Sequence, residues 1–360
     1  MSVEQSVISA VESVIEPVTQ KSLAQLNALT SVSIDQSKAS VVIILGFVGE
    51  DIKQALSQAV WDKVSALDGI SEIQLDIDTV VPTGQHVAEL PHLAEVKQVI
   101  AVASGKGGVG KSTTTANLAL ALQAEGAKVG ILDADIYGPS QPQLFAVSDT
   151  RPTAQSNTIL PIESNGIKLM SMGFLVTEKT PMVWRGPMAS GAFMQILGQT
   201  QWGELDYLIV DMPPGTGDIQ LTLSQKVPLA GAVIVTTPQD IALLDAKKGI
   251  EMFTKVNVPI LGVVENMSTH ICSSCGHEEP IFGVGGGDRI SEQYNTQLLG
   301  SLPLSLSIRE DADSGKSPLV KDVDSEISQK YRQIAQKASA QLWLNTLDAA
   351  QSPVIEFSDD

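Results

Sequence analysis

The chain has 360 residues, 43% hydrophobic and 18% charged, which is apolar material for more than one packed domain. Its formal net charge of −18 argues against a nucleic-acid surface or an anchor on an anionic membrane as the main role. The longest clearly apolar run, Val41–Val48, is far too short to span a bilayer, and Met1-Ser-Val-Glu-Gln lacks a basic-then-apolar leader, so a cytoplasmic protein without membrane partners is expected.

Residues 1–81 read as a small α+β unit in the order αββαβ. Val7, Ile8, Val11, Val14 and Ile15 predict a helix over 3–18. Strands are expected over 29–34 and 39–47, then an amphipathic helix over 49–67 with Ile52, Ala55, Leu56, Val60 and Val64 on one stripe. Ile73, Leu75 and Ile77 alternate in a third strand over 70–77. Residues 82–97, with two prolines, a glycine and no clear period, read as a linker.

From Gln98 strands and helices alternate. Near-continuous apolar runs over 98–103, 128–132, 167–172, 206–211, 231–236 and 259–264, with a short one near 297–301, predict strands of a parallel sheet covered on both faces. Helices are expected over 111–125, 187–198, 217–225, 240–255, 287–295 and 324–346. The alternation predicts a doubly wound, mostly parallel α/β domain over 98–350, whose ligands should sit at the carboxyl ends of the strands. The acidic tail 351–360 is expected to be mobile.

Chemistry concentrates at those strand ends. Gly105, Gly110, Lys111 and Ser112 satisfy G-x-x-x-x-G-K-[ST] between an apolar strand and a helix. Gly105, Gly107, Gly108 and Gly110, with Lys106 and Val109 between them, point backbone N–H groups at phosphate oxygens. Lys111 reaches the β- and γ-phosphates, the Ser112 hydroxyl coordinates Mg²⁺, and the helix opening at Ser112-Thr113 adds partial positive charge, so ATP and Mg²⁺ are the expected cofactors. Asp133 and Asp135 end one strand, suiting one carboxylate near Mg²⁺ and another holding the attacking water. Asp211 ends the strand Leu205–Asp211 before Met-Pro-Pro-Gly-Thr-Gly, placed to reach Mg²⁺ in the Walker-B manner. Asn266 closes another strand and offers a donor and an acceptor to an adenine edge. Trp184-Arg185-Gly186 is either a second-substrate group or a packing loop.

The only cysteines, Cys272 and Cys275, lie in one polar loop. Two thiolates cannot complete a four-thiolate site. A zinc site recruiting His270 and His277, a redox dithiol, and a cluster shared by two copies of the chain all remain open on spacing alone.

The loop Lys106-Gly-Gly-Val-Gly-Lys-Ser112 resembles the deviant P-loop of the MinD/ParA/nitrogenase-iron-protein ATPases. That resemblance implies that Lys106 reaches across a dimer to the partner's nucleotide and, with Lys111 and Asp135, serves catalysis. It gives Asp135 the water and Asp133 the metal side, and sets Asn266 at the base. The N-terminal unit resembles the small domain often found before Mrp-type ATPases. Ser104–Thr113, Asp133–Ser140, Trp184–Met188, Asp211–Asp218, Glu265–Ser268, Cys272-x-x-Cys275, Ile281–Gly287 and Asp313-Ser-Gly315 occur in this order and together resemble the Mrp/ApbC family of iron–sulfur cluster carrier ATPases. The family implies a homodimer, a 4Fe–4S cluster on Cys272 and Cys275 of both subunits, and delivery to apo iron–sulfur proteins in concert with scaffold proteins. With no cysteine before Cys272, the extra N-terminal cluster of the eukaryotic members is not expected. The competing expectation is a MinD/ParA-type positioning ATPase with a structural zinc. Its basic or amphipathic C-terminal anchor has no counterpart in Gln341-Leu-Trp-Leu-Asn-Thr-Leu-Asp348.

Overall fold

Alternation at every second residue builds the first sheet. Lys38–Leu45 buries Ala39, Val41, Ile43 and Leu45 on one face and leaves the residues between them half-exposed. The computed structural model describes residues 2–84, 90–155, 158–174, 186–272 and 274–351. It divides into one unit of 1–82 with 339–360 and a second of 83–338.

The first unit contains α1 (Val3–Glu12), β1 (Leu29–Asp35), β2 (Lys38–Leu45), α2 (Glu50–Ser65) and β3 (Glu72–Thr79). β2 is central, antiparallel to β1 and parallel to β3. Val7 and Val11 of α1 and Ile52, Leu56, Val60 and Val64 of α2 cover its apolar face. Helix α1 stops at Glu12, short of the predicted 18. Pro17 disfavours helical geometry at residue 16, and the buried Glu16 carboxylate instead accepts hydrogen bonds from the N–H groups of Val18 (2.8 Å) and Thr19 (2.5 Å).

The core of this unit is closed by residues far away in sequence. The last helix, Glu326–Gln351, contributes Ala340 and Trp343. The Trp343 ring lies 5.7 Å from that of Phe47, and a Cβ on Gly46 would overlap the indole. The sequence expectation gave residues up to 350 to the larger domain. Helical periodicity does not say which core a long helix serves, and its end serves the small one.

The second unit carries β4 (Val96–Ala103), α3 (Lys111–Ala124), β5 (Val129–Asp133), α4 (Gln141–Leu144), β6 (Thr153–Gln155), β7 (Thr158–Leu160), β8 (Ile162–Ser164), β9 (Ile167–Ser171), α5 (Gly186–Gln199), β10 (Leu205–Asp211), α6 (Asp218–Lys226), β11 (Gly231–Thr236), α7 (Asp240–Lys255), β12 (Ile260–Glu265), β13 (His270–Ile271), β14 (Glu278–Glu279), α8 (Gly286–Gln293), β15 (Leu298–Ser301), α9 (Leu306–Asp313), α10 (Pro318–Lys321) and the start of α11 (Glu326–Gln351). The main sheet runs β15-β12-β11-β4-β10-β5-β9-β8. All its pairings are parallel except β8 with β9. The fully buried runs of β4, β10 and β11 occupy its centre, as a sheet covered on both faces requires.

The expected linker is partly structured: Val96 and Lys97 already belong to β4, and Leu90 and Leu93 are buried. β8 has only three residues and no alternation, but the Asn165-Gly166 pair, at φ 50° and 76°, carries the type I′ hairpin signature that joins it to β9. No helix among the described residues is long and apolar enough to cross a membrane.

Trp343→Ala empties an aromatic position in the small core, which typically costs about 3–5 kcal/mol. Urea unfolding should show that loss, and hydrogen exchange should speed first in β2 and α2. Unchanged exchange there would remove Trp343 from that core.

Candidate functional site

Strand β4 is the point where the sheet order changes direction. The chain passes from β4 toward β5 and β9 on one side, and later elements add β11, β12 and β15 on the other. A crevice forms at the carboxyl end of such a strand, and residues 104–110 occupy it. The loop is tied down at its base: Ser104 Oγ donates to the Lys106 carbonyl (2.9 Å), and Gly215 N–H donates to the Ser104 carbonyl (2.9 Å). Gly105 abuts α7, where a Cβ would overlap the Asp245 carbonyl. Gly110 is left-handed at φ 83°, and a side chain there would run into Asn266. Gly107 and Gly108 are exposed, with open space where a side chain would stand. Lys106 is half-exposed and its ammonium makes no ion pair with the described residues. Thr113, half-exposed in the first turn of α3, accepts at its carbonyl from Asn117 Nδ2 (2.9 Å).

Lys111 turns inward. It is 6% exposed and pairs with Asp211 Oδ1, whose residue is fully buried, while also lying 3.2 Å from Ser112 Oγ. Thr115 Oγ1 donates to the same Asp211 oxygen (3.1 Å), and Gln141 Nε2 donates to the other (2.8 Å). Asp133 lies beside Asp211 in register on the neighbouring strand and is equally buried. It accepts hydrogen bonds from Ser171 Oγ (3.0 Å) and from the N–H groups of Asp135, Ser140 and Gln141 (3.1 Å each). Burial, and then the Asp211 charge, push its carboxyl up to about 7. Asp135, 8% exposed, accepts from Gly138 N–H (3.2 Å), and burial raises its carboxyl against the pull of Lys111.

Lys111, Ser112, Asp133, Asp135 and Asp211 thus converge. Thr115 and Gln141 belong to the same group and were not foreseen. Thr115 lies one helical turn beyond Lys111, a position the P-loop spacing makes available. Gln141 follows the Gly138-Pro139 turn and carries no motif. All-oxygen donors next to a buried carboxylate pair suit a hard divalent cation, and the Gln141 Oε1 atom, buried with no partner, is a further acceptor in the same place. The donor set therefore fits Mg²⁺.

Asn266 connects this loop to the cysteines. Its Nδ2 donates to the Val109 carbonyl (2.9 Å) and its Oδ1 accepts from Met267 N–H (2.9 Å). Beyond it, Ser268 N–H and Leu304 N–H tie the chain to 302–304, and β13 pairs with β14 as a short antiparallel hairpin. Cys272 and Cys275 stand at its tip, the first half-buried and the second exposed. Cys272 N–H donates to the His277 carbonyl (2.9 Å) and Gly276 N–H to the Cys272 carbonyl (2.9 Å). The N–H groups of Ser274 and then Cys275 hold the Cys272 thiol below its usual range. His270 lies in β13, and His277 is exposed next to β14. Among the described residues no three His, Cys, Asp or Glu side chains converge on a metal position. Trp184 and Arg185 lie outside the described residues, as does most of the acidic tail.

A family model described as NUBPL iron-transfer P-loop NTPase matches residues 95–339, and one described as iron–sulfur cluster assembly protein matches 4–75. An iron–sulfur cluster carrier protein from Pseudomonas fragi is 60% identical over 76% of this chain and 96% of its own length. That of Escherichia coli K12 is 52% identical over 91% of this chain and 89% of its own. A nucleotide-binding protein from Archaeoglobus fulgidus, solved in complex with ADP, superposes with a TM-score of 0.58 at 38% identity, covering 65% of this chain and 92% of that one.

The raised Asp133 carboxyl has a consequence for stability. Between 3.8 and about 7 the folded chain holds a proton there that the unfolded chain has released. The contribution of Asp133 to stability is therefore greatest at low pH, falls as pH rises through about 7, and then levels. Measured without nucleotide or Mg²⁺, the melting temperature of wild type minus that of Asp133→Asn should decline between about pH 5 and about pH 8. A flat difference would mean that Asp133 ionises normally.

Proposed function

The chain belongs to the NUBPL-type family of iron-transfer P-loop NTPases, and on that premise we propose that it is an ATP-hydrolysing carrier that holds a 4Fe–4S cluster across a homodimer and hands it to apo-proteins. The observation that carries this reading is the link through Asn266, whose side chain holds the P-loop at Val109 while its own strand end leads within a few residues to Cys272. One short segment joins the nucleotide loop to the cysteines. A change in Val109 on nucleotide binding therefore displaces the root of the thiol hairpin.

The cluster is cargo. One chain offers two thiolates and no third metal-binding side chain beside them among the described residues, so the remaining ligands come from a second copy. Cluster affinity then depends on how closely the two chains are apposed. Lys106 of each protomer reaches the nucleotide of the other.

At the nucleotide, Mg²⁺ would be held by Ser112 and Asp211 with Asp133 behind them, and its chemistry is neutralisation of the β- and γ-phosphate charge. Lys111 leaves Asp211 for the phosphates. The N–H groups of 107–112 hold the phosphate oxygens. Asp135 positions the attacking water, and Gly215, bonded to Ser104, carries the change of phosphate state into the 212–218 loop. To read an adenine edge, the Asn266 amide would exchange its present bonds to the Val109 carbonyl and the Met267 N–H. Apo iron–sulfur proteins and their scaffolds are the proposed partners, in the cytoplasm.

Reconstituted anaerobically, wild type should bind about four iron and four sulfide per dimer and absorb broadly near ~400 nm, and Cys272→Ala/Cys275→Ala should bind neither. Stoichiometric zinc without cluster uptake would overturn the carrier reading. For the ATPase, Asp135→Asn should lower the turnover rate by about 10²-fold or more, as expected for loss of a group that orients the nucleophile, with nucleotide still bound. Lys111→Ala should also abolish transfer to an apo-acceptor. Because it strands the buried Asp211 charge, at a cost of about 3–5 kcal/mol, its fold is checked by circular dichroism. Transfer at the wild-type rate by folded Lys111→Ala would separate ATP from cargo.

A further inference from the structure

Gln141 is a neutral residue that bonds to three elements of the nucleotide site. It is fully buried. Its backbone N–H donates to Asp133 Oδ2 (3.1 Å), and its side-chain nitrogen donates to Asp211 Oδ2 (2.8 Å) and to the Ser112 carbonyl (3.0 Å). One residue therefore fastens together the end of β5, the end of β10 and the first turn of α3. These are the three elements that would surround the terminal phosphates.

The electrostatics explain why an amide stands there. Asp133 and Asp211 are paired across adjacent strands and both are fully buried. Two carboxylates so placed repel. Lys111 and Thr115 satisfy Asp211 Oδ1 only. Gln141 supplies a donor to each carboxylate from the gap between them without adding charge, and so keeps the second Asp211 oxygen fixed when Lys111 moves away. The other end of the amide has no such partner. Oε1, two bonds from the donating nitrogen, is buried and makes no hydrogen bond, an arrangement that native interiors avoid unless a ligand or water completes it.

We infer that Gln141 is a positioning residue for the nucleotide–Mg²⁺ complex: its NH₂ group aims the Asp211 carboxylate, and its Oε1 accepts a hydrogen bond from water at the bound ion. This rests on the nucleotide-binding reading above. The role predicts a specific dependence. Loss of Gln141 should weaken the advantage that Mg²⁺ confers on nucleotide binding, beyond any general loosening of the pocket.

The test is the affinity for a fluorescent ADP analogue, measured with excess Mg²⁺ and again in EDTA, on the full-length protein. The readout is the ratio of the two dissociation constants. Gln141→Met keeps the volume and removes both hydrogen-bonding ends, and its ratio should fall about tenfold, the loss of one hydrogen bond to a charged group. Gln141→Asn withdraws the amide by one methylene and should lose a smaller part of the ratio. If Gln141→Met does not show a cooperative thermal transition, Gln141→Leu, also neutral and without either hydrogen-bonding end, carries the tenfold expectation. A folded variant whose two affinities fall in parallel, leaving the wild-type ratio, would make Gln141 a packing residue and overturn the inference. If wild type itself shows no Mg²⁺-dependent binding, the nucleotide reading fails instead, and the two failures are distinguished.

Discussion

The buried pair of Lys111 and Asp211 organises the nucleotide site. An ammonium and a carboxylate taken out of water are tolerated only when each compensates the other and the remaining lone pairs are filled. Here Thr115 and Gln141 fill them. The P-loop lysine is consequently stored in the fold by the same aspartate that would face the metal. Phosphate oxygens and a divalent cation arriving together offer each partner a replacement: the ammonium gains an anion and the carboxylate gains a cation. Either alone would strand a buried charge. On the proposed reading, nucleotide and Mg²⁺ would therefore depend on one another for binding.

The second constraint is geometric. Gly110 and Asn266 fit against one another, because Gly110 has no side chain and Asn266 has an amide that reaches the loop carbonyl beside it. The segment leaving Asn266 begins with a left-handed Met267 (φ 57°) and is then pinned to 302–304 by backbone bonds. A segment held at both ends has little slack. On the proposed reading, movement at the P-loop would pass to the thiol hairpin instead of being absorbed in a flexible loop, which would give a coupled carrier a mechanical basis.

Much of this was readable in the residues. The strands of the parallel sheet are long apolar runs whose ends place Asp133 and Asp211, and the P-loop spacing places Lys111 and Ser112. Gln141 was not readable: glutamine after a proline turn reads as surface, and only the register of β5 against β10 makes its position interior. The fate of Lys111 was likewise hidden, since a motif names the ligand a lysine will meet and not the partner that keeps it meanwhile. Helix ends were legible only where a proline or glycine marked them. The early end of α1 goes with Pro17 and a local turn in which Glu16 accepts from Val18 and Thr19, a signal that the apolar periodicity over Val14 and Ile15 masked. The two-residue strands β13 and β14 are too short for any pattern, although they set where the cysteines stand.

The indole of Trp343 sits in a core whose other members lie almost entirely among the first 80 or so residues of the chain. A ribosome adding about 5–20 residues per second delivers that indole some tens of seconds after the sheet it covers. Throughout that interval the nascent sheet has its apolar face incomplete. The small domain therefore cannot finish folding in the order in which it is made, and it must be kept from aggregating until the last helix arrives. A nonsense mutation or proteolytic cut near the C-terminus would be felt first at the opposite end of the polypeptide.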